Sequence, residues 1–198
     1  MTEAPPRSQT RTDRRIEIAE AALRVLGREG HAGLTARRVA TEAGLSLGHI
    51  TYNFTGMDEV LAEAYRLLST RLRAASDASL SAATPKDRLA AFLRAGFSDD
   101  FLTPAHIRTR IDLWSAAAAH PAVAETELQL YTHYRARLEA LLAPLVAPDT
   151  LRALTDLIMA TLDGLWLDWM RRRDLVAVNN GLRMIGKLVA QHPHPGAT

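Results

Sequence analysis

Cysteine is absent from all 198 residues of the chain, which rules out a disulfide framework, a thiolate nucleophile and any Cys-ligated metal. Lysine is almost absent too. Two lysines stand against 22 arginines, a bias that suits bidentate phosphate contacts and equally fits a genome rich in arginine codons. No apolar run is long enough to cross a membrane, and the opening stretch MTEAPPRSQTRTDRR has basic residues and prolines but no hydrophobic signal region. The expected location is therefore the cytoplasm, with no membrane partner. Also missing are a Gly-x-Ser-x-Gly elbow, a His-Glu-x-x-His zinc pair and a phosphate-cradling glycine loop. His192 and His194 flank a proline near the end of the chain and read as a frayed tail, not a metal site. Neither an enzyme nor a bound cofactor is expected.

What is present is helical periodicity. Hydrophobic residues make up 47% of the chain, enough for a buried core, and they recur with a helical period while no alternating strand pattern stands out. An all-α fold follows. The net charge is only +2, but residues 1–73 hold 11 arginines against 9 acids, whereas residues 74–198 balance 13 basic with 13 acidic side chains. The pattern divides the chain into a disordered basic arm at 1–11, a domain at 12–55, a linking helix at 56–73 and a C-terminal domain at 74–198. The first helix is expected from Thr12 to Glu29, closed by Gly30. Thr55 with Asp58 reads as a capping box heading the linking helix. After an Ala/Ser-rich boundary at 74–83, Thr84-Pro85 with Asp87 starts another helix.

The stretch TARRVATEAGLSLGHITYNFTGMDEVL, from Thr35, carries the most chemistry. Thr35 is a natural N-cap, Gly44 supplies the left-handed residue that stops a first short helix, Leu45 plugs the turn, and Ser46 caps a second. Ala36, Val39, Ala40 and Ala43 share one face of the first helix, and Ile50 and Phe54 one face of the second, so the two can bury against each other. Leu47, His49, Tyr52 and Asn53 then point outward. Such a pair is a helix-turn-helix, whose second helix enters the major groove with its N-terminal residues at the base edges. Leu47 and His49 are the expected base readers; Tyr52 is expected on phosphate or sugar. Arg37 and Arg38 lie near the start of the first helix, where phosphate is met. Arg7, Arg11, Arg14 and Arg15 read either as an arm that follows the DNA backbone or as a solvated tail.

Thr35, the turn Ala43-Gly44-Leu45-Ser46, Gly48, Phe54 and Asp58-Glu59-Val60-Leu61 together resemble the TetR family of bacterial transcriptional regulators over residues 14–73. The chain departs from that family's pattern at Thr51, Tyr52 and Asn53, where an aromatic pair is usual, and at Met57, where the family has a phosphate-touching lysine. The resemblance implies an N-terminal three-helix DNA-binding domain, a C-terminal helical domain for ligand binding and dimerisation, and double-stranded operator DNA as partner, with Arg14, Thr35, Arg37, Arg38, Ser46, Leu47, Gly48, His49, Tyr52 and Asn53 in the interface.

In the C-terminal half, residues 148–172 are apolar nearly all round, and a last helix from Leu175 to Gln191 carries the stripe Val178, Leu182, Ile185 and Val189. A helix that needs cover on two sides points to a homodimer built as a four-helix bundle from two helices per chain; a larger single-chain core is the other reading. Phe92, Ile111, Trp114, Tyr131, Tyr134 and Trp166, with Asp112 and Asp163 nearby in sequence, are the candidate effector-binding residues. Aromatic faces beside a carboxylate favour a cation, although aromatics at helical spacing also describe plain core. The run Leu162-Asp163-Gly164-Leu165-Trp166-Leu167, with Trp114-Ser115 and a following His-Pro, is similar to the BetI-like branch of the family, which includes choline-responsive repressors. The expected function is a repressor that binds a palindromic operator as a homodimer and leaves it on binding a small-molecule effector, a cation being the class that the aromatic-carboxylate pattern suggests. The alternative is a DNA-bound adaptor whose C-terminal domain recruits a protein.

Overall fold

The computed structural model describes residues 7–78 and 84–196. Among them lie nine α-helices: α1 (Arg7–Glu29), α2 (Ala36–Glu42), α3 (Leu47–Asn53), α4 (Met57–Ala78), α5 (Pro85–Ala95), α6 (Pro104–Ala119), α7 (Pro121–Leu142), α8 (Pro148–Arg172) and α9 (Leu175–Ala190), with one 3-10 turn at His31–Gly33. No strand forms among the described residues; a single antiparallel bridge joins Val146 to Pro193. Proline opens each of α5 to α8, where its fixed φ suits the first turn and its missing N–H costs nothing. Thr84 accepts from the Asp87 N–H at 3.1 Å, and the Asp174 carboxylate accepts from the Ala177 N–H at 3.0 Å to cap α9.

Several boundaries differ from expectation. α1 begins at Arg7, so Arg11, Arg14 and Arg15 ride on a helix: no glycine or proline interrupts the chain between Arg7 and Ile16. The rest of the expected arm, residues 1–6, lies outside the described residues. The capping box of the linking helix is shifted by one position. Val60 N–H reaches the Gly56 carbonyl at 3.3 Å, making Gly56 the first cap, and it is Glu59, not Asp58, that accepts from the Thr55 N–H at 2.8 Å. α4 continues to Ala78, and the remainder of the expected boundary, 79–83, is outside the described residues.

The chain folds as two units, the first holding the described residues up to Thr70 with Arg108–Leu130, the second Arg71–Ile107 with the described residues from Tyr131 onward. The sequence pattern assigns all of α6 and α7 to the C-terminal domain; their 108–130 segment instead completes the first unit. There α1 packs on α2 and α3, and α2 on α3. Ile18, Ala22, Leu26, Val39, Ile50, Phe54, Val60, Leu61 and Leu68 form one core with Leu113, Ala116 and Val123, each large side chain contributing about 1.5–3 kcal/mol of burial. In the second unit α9 packs on α8 and α5. α8 buries Leu154, Ile158, Met159, Leu162, Trp166 and Trp169, and α9 buries Val178, Ile185 and Val189. A Cβ on Gly181 would fall 2.6 Å from Leu165 Cδ2, so a larger residue there would have to displace the Leu165 side chain where the two helices meet.

Candidate nucleic-acid interface

The helix-turn-helix assembles from local chemistry. Thr35 is extended (φ −132°, ψ 152°) and its hydroxyl accepts from the Arg38 N–H at 3.3 Å, capping α2. Gly44, at φ 68°, turns the chain out of α2, a backbone that glycine adopts without penalty. The Leu45 N–H reaches back to the Ala40 carbonyl at 2.9 Å, and Leu45 is half-buried beside the core. Ser46 has cap geometry but makes no cap hydrogen bond; its hydroxyl instead meets His49 Nδ1 at 2.9 Å.

α3 is divided cleanly between a buried and an exposed face. Ile50 and Phe54 are buried; Leu47, Gly48, His49, Thr51 and Tyr52 are exposed, Tyr52 by 77% and Leu47 by 46%. A large aromatic and a leucine left uncovered on so small a helix form a surface with no role in the core. Asn53 corrects the sequence reading. It is only 3% exposed, because its amide folds back to donate to the His49 carbonyl at 2.8 Å, and it cannot present its side chain to a groove.

Charge accounting separates the arginines. Arg24 and Arg28 of α1 both pair with Glu42 of α2, at 2.7 and 2.8 Å, and these partners, Arg28 foremost, hold the Glu42 carboxyl below the usual carboxylate range. Arg38 pairs with Glu29, and Arg14 with Glu17 at 2.6 Å. Arg15 is half-buried between Asn53, Glu59 and Glu63. It is a tether between helices, not part of a loose arm. Arg37 is exposed, and among the described residues its guanidinium has no partner. Sequence reasoning offered Arg37 and Arg38 as equals; the Glu29 pair distinguishes them.

The candidate effector residues fall in both units. Phe92, Tyr131, Tyr134, Asp163 and Trp166 belong to the second, and Ile111, Asp112 and Trp114 to the first. Phe92 is 1% exposed, with the Tyr134 ring 4.8 Å and the Arg137 guanidinium 5.9 Å from its own ring. Trp166 is buried, stacks on Phe97 at 5.4 Å and donates from Nε1 to the Gly96 carbonyl at 2.9 Å. Both therefore serve the core of their unit. Asp112 Oδ2 accepts from the His31 N–H at 2.9 Å, while one turn away Arg108 donates to the Arg28 carbonyl at 3.3 Å, so α6 grips the end of α1 and the 3-10 turn that leads to α2. Ile111 and Trp114 are half-buried, with Arg110 over the Trp114 ring at 5.2 Å. Tyr131 is 38% exposed, and Asp163 is half-buried. No cluster of three or more metal-ligating side chains occurs among the described residues, and no helix is long and apolar enough to cross a membrane.

Comparison with known proteins agrees with this geometry. Residues 18–64 match the bacterial regulatory proteins of the tetR family, and residues 85–193 match the BetI-type transcriptional repressor, C-terminal family. The chain is 29% identical over 168 residues to the HTH-type transcriptional regulator BetI of Burkholderia thailandensis, a match covering 82% of this chain and 84% of that relative. A transcriptional regulator from Rhodococcus sp. Rha1 has the same fold, with a TM-score of 0.80 at 25% identity over 89% of this chain and 96% of that one. The multidrug binding protein EbrR complexed with ethidium gives a TM-score of 0.67 at 29% identity, over 88% of this chain and 98% of that one. The chain belongs to the TetR family of bacterial transcriptional regulators, with a DNA-binding helix-turn-helix followed by a BetI-type C-terminal domain.

Proposed function

We propose that the protein is a cytoplasmic repressor that binds a palindromic operator as a homodimer and is released by a small-molecule effector. The observation that carries the DNA reading is the uncovered face of α3, where Leu47, His49 and Tyr52 project beside a helix that buries its other side. Leu47, Gly48 and His49 meet base edges, Tyr52 meets the sugar-phosphate backbone, and Arg37 supplies a phosphate contact. Dimerisation is supported by apolar side chains left exposed on the last two helices: Leu157 by 50%, Leu175 by 51%, Val176 by 68% and Met184 by 58%. A second copy covers them and doubles the number of base pairs read.

An aromatic or quaternary cation is the effector class we favour. A relative at 29% identity is a multidrug binding protein complexed with ethidium, an aromatic cation, and the half-buried Trp114 and Ile111 of the first unit offer apolar and aromatic contact. The effector acts by binding the operator-incompetent conformation better; a tenfold loss of occupancy needs about 1.4 kcal/mol of coupling. The test is a gel-shift titration against DNA upstream of the protein's own coding region, repeated with a panel of cationic and apolar metabolites. A retarded band that one cation dissolves supports the reading. No band at low salt overturns the DNA assignment, and a band that no small molecule alters removes the effector and favours an adaptor.

A further inference from the structure

We propose that Arg15 is a positioning residue for α3: it fixes the C-terminal end of that helix against α4 and sets sequence discrimination without itself touching DNA. The proposal rests on the reading of α3 as the DNA-contacting helix. Guanidinium is a planar fork whose donors point in fixed directions, and Arg15 spends them on three acceptors in two helices. Nη1 donates to the carbonyl of Asn53, the last residue of α3, one of the orphan acceptors at a helix C-terminus, where a cation is favoured. Nη2 pairs with Glu59 Oε1 at 2.9 Å and Glu63 Oε2 at 3.3 Å, one turn apart on α4. The guanidinium carbon lies 4.1 Å from the centroid of the Phe54 ring, at the C-cap of α3.

The partners are themselves held. Glu59 also accepts from the Thr55 N–H and hydroxyl, at 2.8 and 3.0 Å, and Phe54 is 4% exposed. α3 has seven residues, two turns that cannot fix their own direction by length. At its other end the Ser46 hydroxyl bonds within the same helix, to His49, so the polar tether to neighbouring helices lies at the Asn53 end. A tilt released there swings Leu47 and His49, the residues at the base edges.

Phosphate contact and positioning leave different signatures. Losing a phosphate contact weakens binding to every duplex and lowers the slope of log affinity against log salt by about 0.9. Losing a positioning contact weakens the specific complex while non-specific affinity and the slope stay as they were. The experiment uses the full chain with Arg15→Gln and Arg15→Lys, a duplex that the wild type selects from a random library, an unrelated duplex, a salt series and thermal unfolding. Arg15→Gln is expected to lose roughly tenfold or more on the selected duplex, the scale of a charge-assisted hydrogen bond, with the unrelated duplex and the slope unaffected. Arg15→Lys is expected to recover part of the loss, because it keeps the pairing with Glu59 and Glu63 but loses the fork. A lowered slope would make Arg15 a phosphate contact, and equal losses on both duplexes that track the melting temperature would make its role one of stability alone; either overturns the proposal, as does undiminished discrimination. Failure of the wild type to select any duplex would instead bring down the assignment of α3.

Discussion

Asp112 separates two accounts of the same carboxylate. Sequence proximity to Trp114 made it a candidate for meeting a cationic effector; in the structure its Oδ2 accepts the His31 N–H at 2.9 Å. Gly30, at φ 69°, brings the turn close enough that a Cβ there would sit 3.4 Å from the same oxygen. A backbone N–H bonded to a charged acceptor contributes about 1.5–3 kcal/mol, and because water reaches this turn once the carboxylate is gone, the loss in Asp112→Ala should fall just below that range, at about 1 kcal/mol. For a chain of this size that corresponds to a fall in Tm of about 2–4 °C. Asp112→Asn keeps an acceptor and should lose less than Asp112→Ala. Differential scanning calorimetry of the three proteins, with effector-free DNA affinity measured alongside, makes the comparison. An Ala variant that melts with the wild type, binds DNA as well and yet ignores the effector would refute the structural role and restore the cation-site reading.

Tyr52→Ala is expected to weaken operator binding severalfold with no change in Tm, since the ring is 77% exposed and contributes nothing to the core; fluorescence anisotropy with labelled duplex checks it, and undiminished affinity would mean that α3 meets DNA differently. Burial raises the Glu127 carboxyl above its usual value, an effect that Arg110 only partly offsets. For an acid with a raised folded-state pKa, the favourable contribution is complete below the unfolded value and is lost as pH rises through the folded one. Glu127→Gln should therefore gain Tm relative to the wild type at neutral pH and show little advantage near pH 4, a crossover readable in a pH series of melts. Val176→Glu with Met184→Glu places charges on the exposed apolar side of α9. Sedimentation should show a monomer that still folds, and an intact dimer would move the interface elsewhere.

What the sequence made legible was local. Thr35, Gly44 and Thr84 act on neighbours within a few residues, so their caps and turns can be read from spacing alone, and the buried stripe of Val178, Ile185 and Val189 follows from helical period. What it hid was tertiary. Asn53 was assigned outward by helical phase, but a carbonyl one turn away on its own helix, that of His49, draws its amide inward. Arg15 looked like one more charge in a basic arm because its partners Glu59 and Glu63 lie more than forty residues along the chain. A still longer separation, 81 residues, concealed the link from Asp112 to His31. Aromatics were the least legible: spacing cannot tell a ring that lines a site from Trp166, whose indole N–H is spent on the Gly96 carbonyl.

The most direct test of a paired helix-turn-helix is selection of bound duplexes from a random library by the full-length protein, followed by stoichiometry on the enriched sequence across a salt series. The account predicts a two-fold symmetric site with half-sites about one helical turn or more apart, two chains or a multiple of two per site, and affinity that falls steeply with salt. Enrichment of no sequence, or of an asymmetric site occupied by a single chain, would contradict it.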